Sequence, residues 1–328
     1  MPDWSELQPE LLALIARRLN LIEDYSIFRT VCKSWHSAAT KNNFNSDVPR
    51  VPWLMLAEED GSSSCRKFFS LYNGMILKKR IPKASRKLCM ESLGWLITVG
   101  EDEGEVSLLH PFSGVQIELP HQNSTADYSG RRTGNQCTFF KKAVLSASPS
   151  HTSDYILMVI DGVDCLGHII VYDVAGPQYP RSHMVAQIPF HHRGFVGELY
   201  ILESLGSLFV VSRKGVHLRY FRDGTTDFRV FQVDLASGKG TETRELGDRA
   251  FFVGYNASIS VQASQFPGIK PNHIYFTDHY FGSYQTFEEG GGLDMGVFNL
   301  VDGSIQLHYN GVSLSRISPP TWVTPTLY

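Results

Sequence analysis

Residues 7–35 read LQPELLALIARRLNLIEDYSIFRTVCKSW, and this stretch divides the chain into two unlike parts. Pro9 and Glu10 suit a helix start, because the N–H that proline lacks has no partner in a first turn and an acidic side chain complements the dipole. Leu11, Leu12, Ile15 and Leu19 then fall on one apolar stripe. Arg17 and Arg18 lie near the C-terminal end, where cations are favoured. Asp24 is the expected N-cap of a second helix. The apolar positions of that helix are Phe28, Val31, Cys32 and Trp35, with the tryptophan expected to be buried. The stretch reads as two or three short helices. A helical segment of about 40 residues buries too little surface to stand alone, so it must pack on the rest of the chain or on a partner.

Outward from this module, residues 41–52 (KNNFNSDVPRVP) are polar and proline-containing, as a linker should be. The expected organisation is a helical module over 1–45, a linker over 46–52 and a β-rich body over 53–328. In the body, helical periodicity gives way to apolar runs, GWLITV from Gly94, YILMVI from Tyr155, SLFVVS from Ser207 and HIYFTD from His273. Each is followed by a hairpin-like unit: SLLHPFSGVQIELP, IIVYDVAGPQYPRSHMVAQIP, FRVFQVDLASGKGTETRELG and GVFNLVDGSIQLHY. An apolar strand, a turn built on Gly, Ser or Asp and a return strand is hairpin logic. The interval is roughly 60 residues, longer than a propeller blade of about 40–50. The pattern supports an all-β repeat domain, a propeller ahead of a sandwich. Lys78, Lys79, Arg80, Lys83, Arg86 and Lys87, interrupted by Pro82, read as a solvated basic loop ahead of a nuclear import signal or a partner patch.

Composition excludes several function classes. The chain has 328 residues, 42% of them hydrophobic, and a formal net charge of −3, which provides a core but no basic field for nucleic acid. No apolar run approaches the length of a membrane span, and the acidic, polar start MPDWSELQPE is a poor signal or transit peptide. Five cysteines without a C-x-x-C or an even framework suit a reducing compartment, cytoplasm or nucleus.

No residue set carries a catalytic, cofactor or metal signature. The twelve histidines lack ligand spacing. The adjacent pair His191-His192 would point apart in extended chain, and Asp278-His279 lacks a serine elbow to complete a triad. Glu101, Asp102, Glu103 and Glu105 form an acidic hairpin turn without anything to raise a pKa. Glu288–Gly292, EEGGG, lacks the strand–helix context of a phosphate loop and reads as a flexible loop. Tyr280, Phe281, Tyr284 and Phe287 crowd one loop segment and are candidate anchors for a protein target, although some of the four would serve as core.

The order L-x-P-E-L-L-x-x-I-x-x-R-L followed by F-R-x-V-C-K-x-W resembles the F-box, the module by which substrate receptors dock on the Skp adaptor of cullin–RING ubiquitin ligases. The resemblance implies adaptor-binding roles for Leu7, Pro9, Leu11, Leu12, Ile15, Val31, Cys32 and Trp35. Where the family usually places proline directly after the first leucine, this chain has Gln8. The landmarks of the body, from GWLI and LLHPFSGVQIELP to GVFNLVDGSI and TWVTP, resemble the C-terminal β-propeller of plant F-box proteins of the kink-suppressor (KIB) type. In such a ring the strand near Trp53 is expected to meet the one near Trp322. Between YILMVI and GHIIVYDV the family generally carries a further stretch of about one blade, of order 40 residues, whereas only Asp161 to Leu166 stand here. The implied fold is mainly β with a small N-terminal α module, short of about one blade. The implied function is that of a non-catalytic receptor, without cofactor, nucleic acid or membrane. Its partners would be a Skp-type adaptor, through it cullin, and a protein substrate; the alternative is a shortened interaction protein that no longer serves a ligase.

Overall fold

The computed structural model describes residues 4–19, 22–44, 50–58, 64–100, 105–119, 142–155, 157–160, 168–173, 181–187, 197–215, 224–255, 257–278, 290–316 and 318–326. Three helices come first: α1 (Pro9–Arg18), α2 (Ile22–Thr30) and α3 (Lys33–Ala38). Pro9 occupies the first turn as expected. Asp24 is not an N-cap, because α2 has already begun at Ile22. The expected second helix is in fact two: Cys32, in extended conformation, breaks it and caps α3.

The rest is β-structure. β1 (Trp53–Met55), β2 (Cys65–Phe69) and β3 (Ile76–Arg80) begin the first sheet. β4 (Leu88–Ser92), β5 (Trp95–Val99), β6 (Val106–Leu109) and β7 (Gln116–Glu118) form an antiparallel second. β8 (Lys142–Leu145) and β9 (Leu157–Ile160) make a two-stranded ribbon. β10 (His168–Asp173), β11 (Arg181–Gln187), β12 (Gly197–Ser204), β13 (Ser207–Gly215), β14 (Thr225–Asp234) and β15 (Lys239–Thr243) share a sheet in the order β10-β11-β15-β14-β13-β12. β16 (Arg249–Val253), β17 (Ser258–Gln262), β18 (His273–Phe276), β19 (Gly296–Asn299) and β20 (Ile305–Gln306) form another, ordered β17-β16-β18-β19-β20. β21 (Thr321–Val323) returns to the first sheet beside β1, with Leu54 opposite Trp322. This closure was expected of a propeller, and four sheets of four or more strands make up the propeller arrangement.

Sheets stacked face to face explain the composition of the strands. β4 and β5 are buried at every position, as strands covered on both faces must be. Trp95, Ile97 and Leu108 pack against Ala143 and Leu145 of the ribbon. Phe209, Val211 and Phe228 meet Phe251, Ile274 and Phe276 across the next seam. Trp322 lies edge-on to Phe252, and its indole N–H donates to the Val253 carbonyl at 3.2 Å. Two tight hairpins share the sequence Glu-Ser-Leu-Gly, Glu91–Gly94 and Glu203–Gly206. In both, the Leu and Gly have positive φ, the backbone a two-residue hairpin turn demands. In both, the glutamate accepts the glycine N–H, at 2.9 Å and 2.6 Å.

The repeat logic holds three times and fails once. β5, β13 and β18 are each hydrogen-bonded within one sheet to the hairpin that follows them. Among the described residues β9 pairs with β8 alone, while the hairpin β10–β11 joins β15 through Gln187 and Lys239. The break falls where only 161–167 separate β9 from β10.

Two loop expectations are corrected. The basic stretch is not a solvated loop at Lys78–Arg80, which belongs to edge strand β3, with exposed and half-buried side chains alternating. Nor are Gly290–Gly292 flexible: they are buried, and Gly291 bridges Ser315 by bonds of 2.8 and 3.0 Å. The close approach requires glycine, since a Cβ on Gly292 would stand 1.8 Å from the Ser313 carbonyl oxygen.

Candidate functional site

The helical module has two apolar faces. The inner one contains Leu12, Ala16, Ile22, Tyr25 and Phe28, all buried. These residues form one cluster with Trp53, Met55 and Phe68 of the first sheet, against which Leu7, Leu19, Trp35, Leu77 and Phe112 also pack. The module therefore rests on the propeller. At its end the Arg50 guanidinium lies 4.0 Å over the Phe44 ring.

The outer face is open. Leu11 (45% exposed), Leu14 (54%) and Ile15 (36%) stand at i, i+3 and i+4 on α1. Ile27 (57%) on α2, Val31 (54%) just past it and Trp4 before α1 are exposed as well. The single stripe expected over Leu11, Leu12, Ile15 and Leu19 is thus divided, with Leu12 and Leu19 inward and Leu11 and Ile15 outward. Leu12 is fully buried and acts in the internal packing. Pro9 is exposed, and Leu7 and Cys32 are half-buried.

Trp35 is half-buried, not buried. Its ring lies 4.5 Å from Phe28, and its indole N–H donates to the Trp4 carbonyl at 2.9 Å. Ser34 donates to the Ser5 carbonyl at 2.9 Å. Together these bonds hold the segment before α1 against α3. Gln8 makes no side-chain cap; its carbonyl oxygen accepts the Leu11 and Leu12 N–H groups at 3.0 and 3.1 Å. Sequence periodicity pointed to α1 but missed Leu14 and Ile27, whose i+3 and i+4 spacing to the other outward residues was the available signal.

In the propeller, Arg213 is buried at the centre of a polar cluster. It donates to Thr225 Oγ1 (2.6 Å), the Tyr200 hydroxyl (3.1 Å), the Thr277 carbonyl (2.6 Å) and the Asp294 carboxylate (2.8 Å). Asp278 accepts the Gly292 and Asp294 N–H groups at 2.8 and 3.2 Å. Burial, and then the Asp294 carboxylate, push Asp278 up to about 6; burial pushes Tyr200 up to about 12. These bonds tie the strand end after β18 to the segment before β19. His110 is likewise structural. Its Nδ1 accepts the Ser113 N–H at 3.1 Å, which assigns the proton to Nε2, and that nitrogen donates to Thr326 Oγ1 at 3.0 Å.

Among the described residues, no group of three or more His, Cys, Asp or Glu side chains is placed to hold a metal ion. No described helix is long and apolar enough to cross a membrane. Cys32, Cys65 and Cys89 are not joined in disulfides. Tyr280, Phe281, Tyr284 and Phe287, with His191, His192 and His279, lie outside the described residues.

Known proteins match the same division. An F-box domain model matches residues 4–47. A KIB1-4 beta-propeller model matches 68–166 and, beginning again, 162–299. The probable F-box protein At1g65740 of Arabidopsis thaliana is 26% identical over 384 aligned residues, covering 97% of this chain and 96% of the relative. F-box protein At2g17690 is 25% identical over 420, covering 93% and 96%, and F-box protein SKIP23 is 23% identical over 413, covering 99% and 96%, both from the same plant. These alignments run to more positions than the 328 residues of the chain, so the relatives carry stretches absent here. The family match restarts at the short segment between β9 and β10, where the sheet also breaks. From the helices of the N-terminal module to the seam of the last propeller sheet, the chain belongs to the F-box proteins with a KIB1-4 beta-propeller.

Proposed function

We propose that this protein is a substrate-recognition subunit of a Skp–cullin–F-box ubiquitin ligase, working in the cytoplasm or nucleus. The observation that carries the reading is the open apolar face of the module. Leu11, Leu14, Ile15, Ile27 and Val31 remain exposed although the inner face of the same helices is fully packed. Repeated apolar exposure on one small module suits a protein partner; in an F-box the partner would be the Skp adaptor. Leu7, Pro9, Cys32 and Trp35 would hold the edges of that surface, and Leu12 would support it from beneath. The propeller would hold a protein target, contributing proximity while the chemistry is done elsewhere in the complex. The test is co-precipitation with a Skp adaptor by the full chain and by Leu11→Ala/Ile15→Ala, which should lose the adaptor while keeping the fold.

A second reading is favoured by one observation, the restart of the family match at 162–166 together with the two-stranded ribbon. It holds that the shortened propeller retains the fold but presents no target for turnover. Adaptor binding without a change in the lifetime of any captured protein would distinguish it.

A further inference from the structure

β3 is an outer edge. It pairs with β2 on one side and, among the described residues, with no strand on the other. It spans five residues. The bonds from Ser70 N–H to the Met75 carbonyl and from Ile81 N–H to the Ser64 carbonyl fix the alternation. Leu77 and Lys79 therefore turn their main-chain groups to β2, and Ile76, Lys78 and Arg80 turn theirs outward. The side chains of those same three residues are exposed.

This edge is also cationic. Lys78 and Arg80 line it, Lys83 follows in the next turn, and Arg29 of α2 is close enough to Lys79 to add to burial in pushing that ammonium below its usual range. Across the ladder Lys67 faces Lys78 and Arg66 faces Lys79, like charges that oppose one another. The nearby described carboxylates are engaged elsewhere, Glu58 with Arg66 and Ser85, and Glu105 with Lys87.

We propose that the β3 edge takes up an acidic, extended segment of a partner protein as an added strand. Main-chain groups of Ile76, Lys78 and Arg80 would supply the pairing, and Lys78, Arg80, Lys83 and Arg29 the preference for acid. The same charges repel a basic strand or a second copy of β3, which keeps an otherwise adhesive edge selective. This inference does not depend on adaptor docking.

The test is fluorescence anisotropy of the full chain with a labelled peptide alternating valine and glutamate. A valine–lysine peptide and a single-stranded oligonucleotide serve as comparisons, and thermal melts verify folding of each variant. The acidic peptide should bind, and more weakly as salt rises. Lys78→Glu/Arg80→Glu should weaken it about tenfold or more. Lys78→Pro should bind more weakly than Lys78→Gln, because proline removes an outward N–H without touching the β2 ladder. Arg80→Pro against Arg80→Gln repeats the comparison at a second outward position should the first proline variant unfold. No binding, equally tight binding of the basic peptide or the oligonucleotide, or equal affinities of the proline and glutamine variants would overturn the proposal.

Discussion

Leu54 stands opposite Trp322 across an antiparallel strand pair, so the first strand of the β-body and the last belong to one sheet. Trp322 is fully buried and also bonds to Val253 of the preceding sheet. Trp322→Ala should therefore cost about 3–5 kcal/mol, read as a lower urea midpoint. Removing residues 321–328 should be at least as severe. A truncated chain with an unchanged midpoint would mean that ring closure contributes nothing.

Stability should depend on pH through Glu91. Burial pushes its carboxyl from 4.5 up to about 7, against the opposing bonds from Gly94 and Thr324. The native state then keeps a proton that the unfolded chain releases. The stability linked to this group is full below pH 4.5 and is lost as pH rises through about 7. Asp278, raised from 3.8 to about 6, acts in the same sense. His308 opposes both: burial pushes it from 6.5 down to about 4, so its contribution is full above 6.5 and lost as pH falls through 4. Glu91→Gln isolates one group, and relative to wild type it should gain on the order of 2–3 kcal/mol between pH 4.5 and 8. A difference independent of pH, measured by urea unfolding, would contradict this.

Arg213→Met keeps an unbranched apolar side chain but deletes the guanidinium that lies over the Phe228 and Phe276 rings and pairs with Asp294. The carboxylate left behind is partly buried and has lost its cation. The expected loss is about 3–5 kcal/mol, measured by chemical denaturation. Near-neutrality would mean that the cluster does not pin β18 to β19.

Gly292 and Gly303 separate two costs of a side chain at positive φ. Both have the left-handed backbone, but only Gly292 faces a carbonyl oxygen 1.8 Å from its added Cβ; nothing lies within 4 Å at Gly303. Gly303→Ala should cost about 1 kcal/mol and Gly292→Ala considerably more. Thermal melts in the reverse order would contradict the packing of the Gly291–Ser315 bridge.

What was legible in the sequence is what local pattern encodes. The α1 boundaries, the anchor strands β5, β9, β13 and β18 and their hairpins follow from periodicity and turn residues, and the family resemblance supplied the ring closure. β3 was misread because lysines at alternate positions on an edge strand look like a solvated charge run. The two faces of α1 merged into one stripe because Leu11 and Leu12 are adjacent, and only tertiary packing decides which turns inward. The Arg213 cluster left no local trace, since Tyr200, Thr277 and Asp294 come from separate strands and loops. The paired Glu-Ser-Leu-Gly hairpins were present as a literal repeat, yet at four residues they are too short to stand out by composition.

The most direct test of the central claim is the affinity of the purified chain for a Skp adaptor, measured by calorimetry for wild type, Leu11→Ala/Ile15→Ala and Leu12→Ala. Wild type should bind. The outward double variant should melt within about 0.5 kcal/mol of wild type and bind far more weakly, while Leu12→Ala should lose about 2–5 kcal/mol of stability. A wild-type chain that does not bind, or an outward double variant that binds as well as wild type, would contradict the account.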